Sequence, residues 1–157
     1  MYVEILHYDI TTELDTNPGN IVAKVGNLVK KYAKDGRVFK QKDFACVIHI
    51  VDTDGAFIPN EYIIEDGMLD KPFYLEDGIR TCNKTGIENR NLRKRENLDR
   101  LVATKKVWKS IPYRVYYMSC NLDHVLFDKN NIGNEDKRRY SFAFAMKYKN
   151  DIPGFLE

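Results

Sequence analysis

Apolar and polar positions follow one another along the chain in blocks whose spacing predicts the elements. Residues 2–10 read as a strand that begins almost at the first residue. Asn17 and Pro18 then open a helix, Asn as cap and Pro in the first turn, and Ile21, Val25, Leu28, Val29 and Tyr32 recur at helical spacing until Asp35 and Gly36 stop it. Residues 45–51 are mostly apolar and rich in β-branched side chains, the pattern of a strand buried on both faces. The first fifty residues therefore predict β-α-β, a parallel pair with a right-handed crossover.

Beyond this unit the pattern loosens. Residues 55–86 are irregular, with Pro59, Gly67, Pro72 and Gly78 between short apolar pieces, and read as an insertion of the kind that covers a site or carries function. Residues 87–109 predict a basic helix with a thin apolar stripe of Ile87, Leu98, Leu101 and Val102. Pro112 ends it, and residues 113–119 read as a further strand. Ser119 to Leu126 look like a strand-to-helix turn, 128–134 a loop, and 135–149 a last helix with Phe142, Ala145 and Met146 inward. The whole predicts one three-layer α/β domain with a mainly parallel sheet.

Composition narrows the picture. A chain of 157 residues with 43% hydrophobic content suffices for one domain with a real core, and is too short for two comfortable ones. The net charge of +2 announces no nucleic-acid binding by itself, so any basic surface must be local. Cys46, Cys82 and Cys120 are odd in number and lack metal-ligand spacing, which predicts a reduced, cytoplasmic protein. No stretch approaches a membrane span, and no apolar segment follows a basic N-terminus as a signal peptide requires.

The candidate chemistry begins where the strand at 45–51 stops, at Asp52, Thr53, Asp54 and Gly55. Open α/β sheets bind ligands at the carboxyl ends of their strands, and residues two apart in an extended chain point to one side. Two carboxylates converging there repel by roughly 1–4 kcal/mol, so a proton, an Arg or Lys, or a divalent cation has to balance them. Mg²⁺ suits such a pair because it takes one or two carboxylates and fills its other positions with water or phosphate oxygens. A plain polar turn after a core strand is the competing reading. Asp9 is expected on the same rim, and Asn121, Asp123 and His124 beside it, although capping of the next helix also explains that last trio. The run Arg90, Arg93, Lys94 and Arg95, with Arg100, Lys105, Lys106 and Lys109 after it, is either a solvated helix face or a binder of phosphates.

Three families place Asp-x-Asp directly after a buried strand. Haloacid-dehalogenase-like phosphatases are similar at Asp52 to Gly55, with Ala56 where they carry Thr or Val and Ser119 as a counterpart of their second motif, but that motif ends their first strand. Nucleotide-sugar glycosyltransferases also use Asp-x-Asp for metal, in larger chains. The chain most resembles the Toprim-like domain of RloB and OLD type phage-defence proteins. There a strand-helix unit leads to a strand ending in Asp-x-Asp, an insertion follows, and a later strand ends in a Ser-Asn-Pro-x-Phe-Glu-like turn, which Ser119 to Leu126 resembles without the proline. That family needs an earlier Glu-bearing strand, for which Glu4 is a poor substitute, so an upstream strand and helix are expected to be missing. The resemblance implies Mg²⁺- or Mn²⁺-dependent cleavage of DNA or RNA by a nuclease that acts with a partner ATPase. It implies Asp52 and Asp54 as metal ligands, Asp123 as a further metal contact, His124 in proton transfer, and Arg90, Arg93, Lys94 and Arg95 on the nucleic-acid backbone. A phosphatase using Asp52 as nucleophile and a non-catalytic interaction module are the alternatives.

Overall fold

The computed structural model describes residues 9–34, 39–118, 127, 129 and 131–148. Among them are three α-helices and six strands: α1 (Ile21–Lys34), β1 (Val47–Asp52), β2 (Ile63–Glu65), β3 (Phe73–Leu75), β4 (Gly78–Thr81), α2 (Lys84–Val102), β5 (Lys106–Val107), β6 (Ile111–Met118) and α3 (Asn134–Tyr148). The chain is a mixed α/β protein. The expected strand at 2–10 lies outside the described residues but for Asp9 and Ile10, which are not in a strand.

The start of α1 follows from its sequence. Asn17 accepts a hydrogen bond from Gly19 N–H at 2.9 Å, and Asn20 reaches back to Asn17 N–H at 2.9 Å, so side chains satisfy two backbone donors of the turn that leads into α1, and the helix itself begins at Ile21 rather than at Pro18. Ile21, Val25, Val29 and Ala33 form the buried face. Ile21, Val25 and Val29 meet Ile10, Leu101, Val107, Ile111 and Tyr113 in the larger of two cores, with Val47, Val115 and Trp108 at its margin.

β6 is the central strand of that core's sheet. β1 pairs with it in parallel, from Val47 opposite Tyr113 to Asp52 opposite Met118, and β5 pairs with it antiparallel through Lys106–Pro112 and Val107–Ile111. The sheet is thus mixed, where the sequence predicts a mainly parallel one. A loop of only three residues joins β5 to β6, and a loop that short can connect only antiparallel strands. The same hairpin corrects the basic helix. α2 starts at Lys84, behind an Asn83 cap that accepts from Gly86 N–H at 2.8 Å, and ends at Val102 rather than running to 109. Trp108 and Lys109 take positive φ in the hairpin loop, where the Gln41 side chain holds the Trp108 carbonyl and the Ser110 hydroxyl.

The irregular insertion is ordered into a second small sheet. β4 is central, parallel to β2 and antiparallel to β3, and Ile63 and Ile79 pack with Ile87 of α2 in a second core. Gly78 admits the close crossing of the chain there, since a Cβ on it would lie 2.2 Å from the Tyr62 carbonyl oxygen. Asn131 hydrogen-bonds both the N–H and the C=O of Tyr74, as a strand residue would, and so extends the edge at β3.

Three layers are not seen among the described residues. α1 and α2 contribute to the core on the face of the main sheet that carries Val47, Tyr113 and Val115. On the opposite face Ile48 and Ile50 are each 60% exposed and Tyr116 is exposed too, so β1 is buried on one face and not on two. α3 is where the sequence predicts a helix, but Phe142 and Met146 face solvent instead of a core.

Candidate functional site

The site is built where β1 turns. Thr53 N–H still bonds to Met118 C=O at 3.2 Å, and the chain then reverses through a turn closed by Ala56 N–H to Thr53 C=O at 2.8 Å. Its central residues, Asp54 and Gly55, have φ of 49° and 68°. Asp-Gly is the pair best suited to two successive left-handed positions, because Asp tolerates that region and Gly has no Cβ to clash. The polar-turn reading of the sequence is thus correct as far as backbone goes. The strand alternation expected to aim Asp52 and Asp54 at one point ends at Asp52, and Asp54 leaves it.

Asp54 is balanced by a lysine. Lys94, on α2 and with no exposed side-chain surface, places Nζ 2.5 Å from Asp54 Oδ2 and 3.2 Å from Asp9 Oδ2. Of the three counter-charges open to the acids in the sequence, the structure contains the second, and it brings in Asp9 as expected. The carboxylates keep contact with water, with side-chain exposures of 30% for Asp54 and 41% for Asp9. Asp9 also accepts from Thr11 N–H at 2.9 Å and from the Thr11 hydroxyl at 2.5 Å. Burial opposes its ionisation, but the Thr11 hydrogen bonds and the Lys94 charge outweigh burial and hold its carboxyl below the usual range.

α2 fixes the turn through three consecutive carbonyls. Arg90 donates to Asp54 C=O at 2.7 Å, Asn91 to Gly55 C=O at 3.3 Å and Arg95 to Ala56 C=O at 2.7 Å. Arg90 also reaches the Tyr74 hydroxyl of β3 at 3.0 Å. From the same helix Arg93 donates to Thr12 C=O and Asn97 to Thr11 C=O, each at 3.0 Å, which ties down the loop carrying Asp9. Asn91, Lys94 and Asn97 are fully buried polar residues. Sequence reasoning gives Lys94 a different role, on a nucleic-acid backbone, and overlooks Asn91 and Asn97, yet the pattern contains them: Ile87, Asn91, Lys94, Asn97, Leu98 and Leu101 form one buried stripe whose middle is polar. The middle is polar because it packs on loop carbonyls and carboxylates, which an apolar side chain would leave unsatisfied.

The sequence-predicted residues therefore separate. Asp52 is half-buried at the end of β1, and Asp54 joins Lys94 and Asp9. Arg90, Arg93, Lys94 and Arg95, expected on a nucleic-acid backbone, all make intramolecular hydrogen bonds, and Lys94 has no surface to offer a phosphate. Asn121, Asp123 and His124 lie outside the described residues. No grouping of three or more His, Cys, Asp and Glu side chains able to hold a metal occurs among the described residues. No helix among them is long and apolar enough to cross a membrane.

Below the acids, His49 of β1 contacts the Tyr113 hydroxyl through Nδ1 at 2.8 Å. Burial pulls its pKa below the ordinary imidazole value against the opposing charge of Asp9, and burial pushes the Tyr113 phenol up. Comparison of the chain with family models, curated proteins and solved structures gives no match.

Proposed function

We propose that the chain is a Toprim-like, metal-dependent phosphodiester-cleaving domain that takes Mg²⁺ or Mn²⁺ at Asp52 and Asp54 and acts on DNA or RNA together with a partner ATPase. The observation that supports it most is the placement of partly exposed carboxylates where two parallel strands end side by side, with a buried cation behind them. Asp52 stands opposite Met118, the last residue of β6, and the segment holding Asp123 and His124 begins one residue further on. Carboxylate oxygens are the hard donors that Mg²⁺ and Mn²⁺ prefer, and two of them suffice when water and phosphate complete the shell. A divalent ion there supplies polarisation of a phosphoryl oxygen and a water of lowered pKa.

The chain's own residues do the rest. Lys94 holds Asp54 in place, Arg90, Asn91 and Arg95 fix the turn, and Asp123 would add a metal contact and His124 would move the proton. With Arg90, Arg93, Lys94 and Arg95 engaged internally, the exposed Arg100, Lys105, Lys106 and Lys109 of the same basic run are left to attract a polyanion, without reading its sequence.

A specific observation also favours the non-catalytic module: Lys94, from within the chain, already supplies Asp54 with a counter-charge. Thermal melting separates the two readings, because a ligand of the folded state raises apparent stability by mass action. The nuclease reading expects Mg²⁺ or Mn²⁺ to raise the melting temperature of the wild-type chain, the rise to vanish in Asp52→Asn/Asp54→Asn, and the metal-loaded chain to cleave single- or double-stranded oligonucleotides but not a generic phosphomonoester. Melting curves indifferent to millimolar metal would leave the interaction module, and turnover of the phosphomonoester alone would favour a phosphatase.

A further inference from the structure

We infer that the uncovered face of the main sheet binds single-stranded nucleic acid, with bases stacked on Tyr116 and its aliphatic neighbours and phosphates drawn to Lys105, Lys106 and Arg114. The inference goes beyond the metal-site reading and concerns binding alone, so it holds with or without cleavage. The face follows from strand alternation and register. Val47, Val107, Ile111, Tyr113 and Val115 belong to the core, so the residues that alternate with them turn away from it. Register sets those residues side by side across three strands: Ile48 opposite Arg114, Ile50 opposite Tyr116, and Lys106 opposite Pro112. All six are exposed.

Chemistry selects the occupant. Ile48, Ile50, Pro112 and Tyr116 form an apolar surface, and Lys106 and Arg114 add two positive charges to it. An open groove of about 500 Å³ shares Pro112, Arg114 and Tyr116 with this face and adds Val102 and Lys105, and the described residues lining it include no Asp or Glu. The net charge of the whole chain is only +2, so a polyanion held firmly has to be held by a local patch of this kind. Phosphates complement the cations, and unpaired bases complement the ring and the aliphatic side chains, so a single strand uses both halves of the surface. A duplex keeps its bases stacked inside and would lay its phosphates on the apolar half. Because every base has a stacking face, the binding is tolerant of sequence.

Fluorescence anisotropy of the full chain in EDTA tests this, with a labelled oligonucleotide of mixed sequence as single-stranded DNA, single-stranded RNA and duplex DNA. A single strand is expected to bind more tightly than the duplex, and Tyr116→Ala to weaken it roughly 5–100-fold. Arg114→Gln is expected to weaken it as well and to make the slope of log affinity against log salt shallower by about 0.7, the share of one phosphate contact. Lys31→Gln, at an exposed position on α1 across the sheet, is expected to change neither. Duplex bound as tightly as single strand, wild-type affinity in a folded Tyr116→Ala, or equal losses in Arg114→Gln and Lys31→Gln would each overturn the inference. So would no binding, or a wild-type dimer that Tyr116→Ala turns into a monomer, which would give the face to a second copy of the chain. If Tyr116→Ala does not fold, the duplex comparison and the Arg114→Gln and Lys31→Gln pair decide. EDTA removes any divalent ion, so these outcomes are distinct from the metal-dependent melting that decides the metal-site reading.

Discussion

Burying an ammonium costs several kcal/mol unless its partners replace the lost water, and at Lys94 two carboxylates do so. Lys94→Met should therefore lower stability by about 2–3 kcal/mol, below the ~3–5 of a fully buried pair because Asp9 and Asp54 are partly hydrated. Adding Asp54→Asn to that variant should recover part of the loss. Urea unfolding of the four members of the cycle checks this, and additive losses would contradict direct coupling. A second expectation concerns pH. The pKa of His49 is depressed in the folded chain, so the unfolded chain takes up its proton first as pH falls, and stability drops from about pH 7 downward through the unfolded imidazole value. The opposite slope would follow from a raised value. His49→Gln should flatten the decline between pH 7.5 and 5.5, read from urea midpoints. The Asp9 pKa is depressed as well, and its contribution is present above the unfolded carboxyl value and is lost only as pH falls through its lower folded one.

At the scale of the element, α2 joins the parts. Its first turns pack on the small sheet through Ile87, its last joins the core of the main sheet through Leu101, and its polar middle grips both loops of the site. Arg95→Ala should leave the Ala56 carbonyl without its side-chain partner and loosen the turn locally. Hydrogen exchange at the Ala56 amide, which closes the turn, should speed up while the amides of α1 stay unchanged. Gly55→Ala should cost about 1–2 kcal/mol for the left-handed backbone alone. It costs more if the neighbours hold still, because the added Cβ would lie 3.0 Å from both Ile58 Cδ1 and Ile79 Cδ1. An effect below ~0.5 kcal/mol would mean that the turn is not held in this form.

At the scale of the molecule, one uncovered sheet face makes a sharp contrast. Ile50→Thr, on the exposed face, should change stability by less than about 1 kcal/mol, whereas Ile111→Ala in the core should cost roughly 2–5 kcal/mol. Equal losses would show that another layer covers Ile50. Much of this architecture was legible in the sequence, for local reasons. A helix soon after Asn17 and Pro18, the β-branched run closing at Asp52 and the aromatic-rich strand before Ser119 each depend on propensity and periodicity within a few residues. So did the need for a counter-charge beside paired acids, since Coulomb repulsion between neighbours in sequence requires no fold to be foreseen. What sequence alone left undecided were choices between partners remote in the chain. Whether a proton, a lysine or a metal balances Asp54 depends on Lys94, forty positions away, and on Asp9, more distant still. Whether the basic face of α2 meets solvent, phosphate or loop carbonyls depends on where two loops pack, and the parallel or antiparallel course of each strand depends on which neighbour the chain finds. Only tertiary structure decides these, because an ammonium, a carbonyl and a strand edge satisfy many partners equally well until packing selects one.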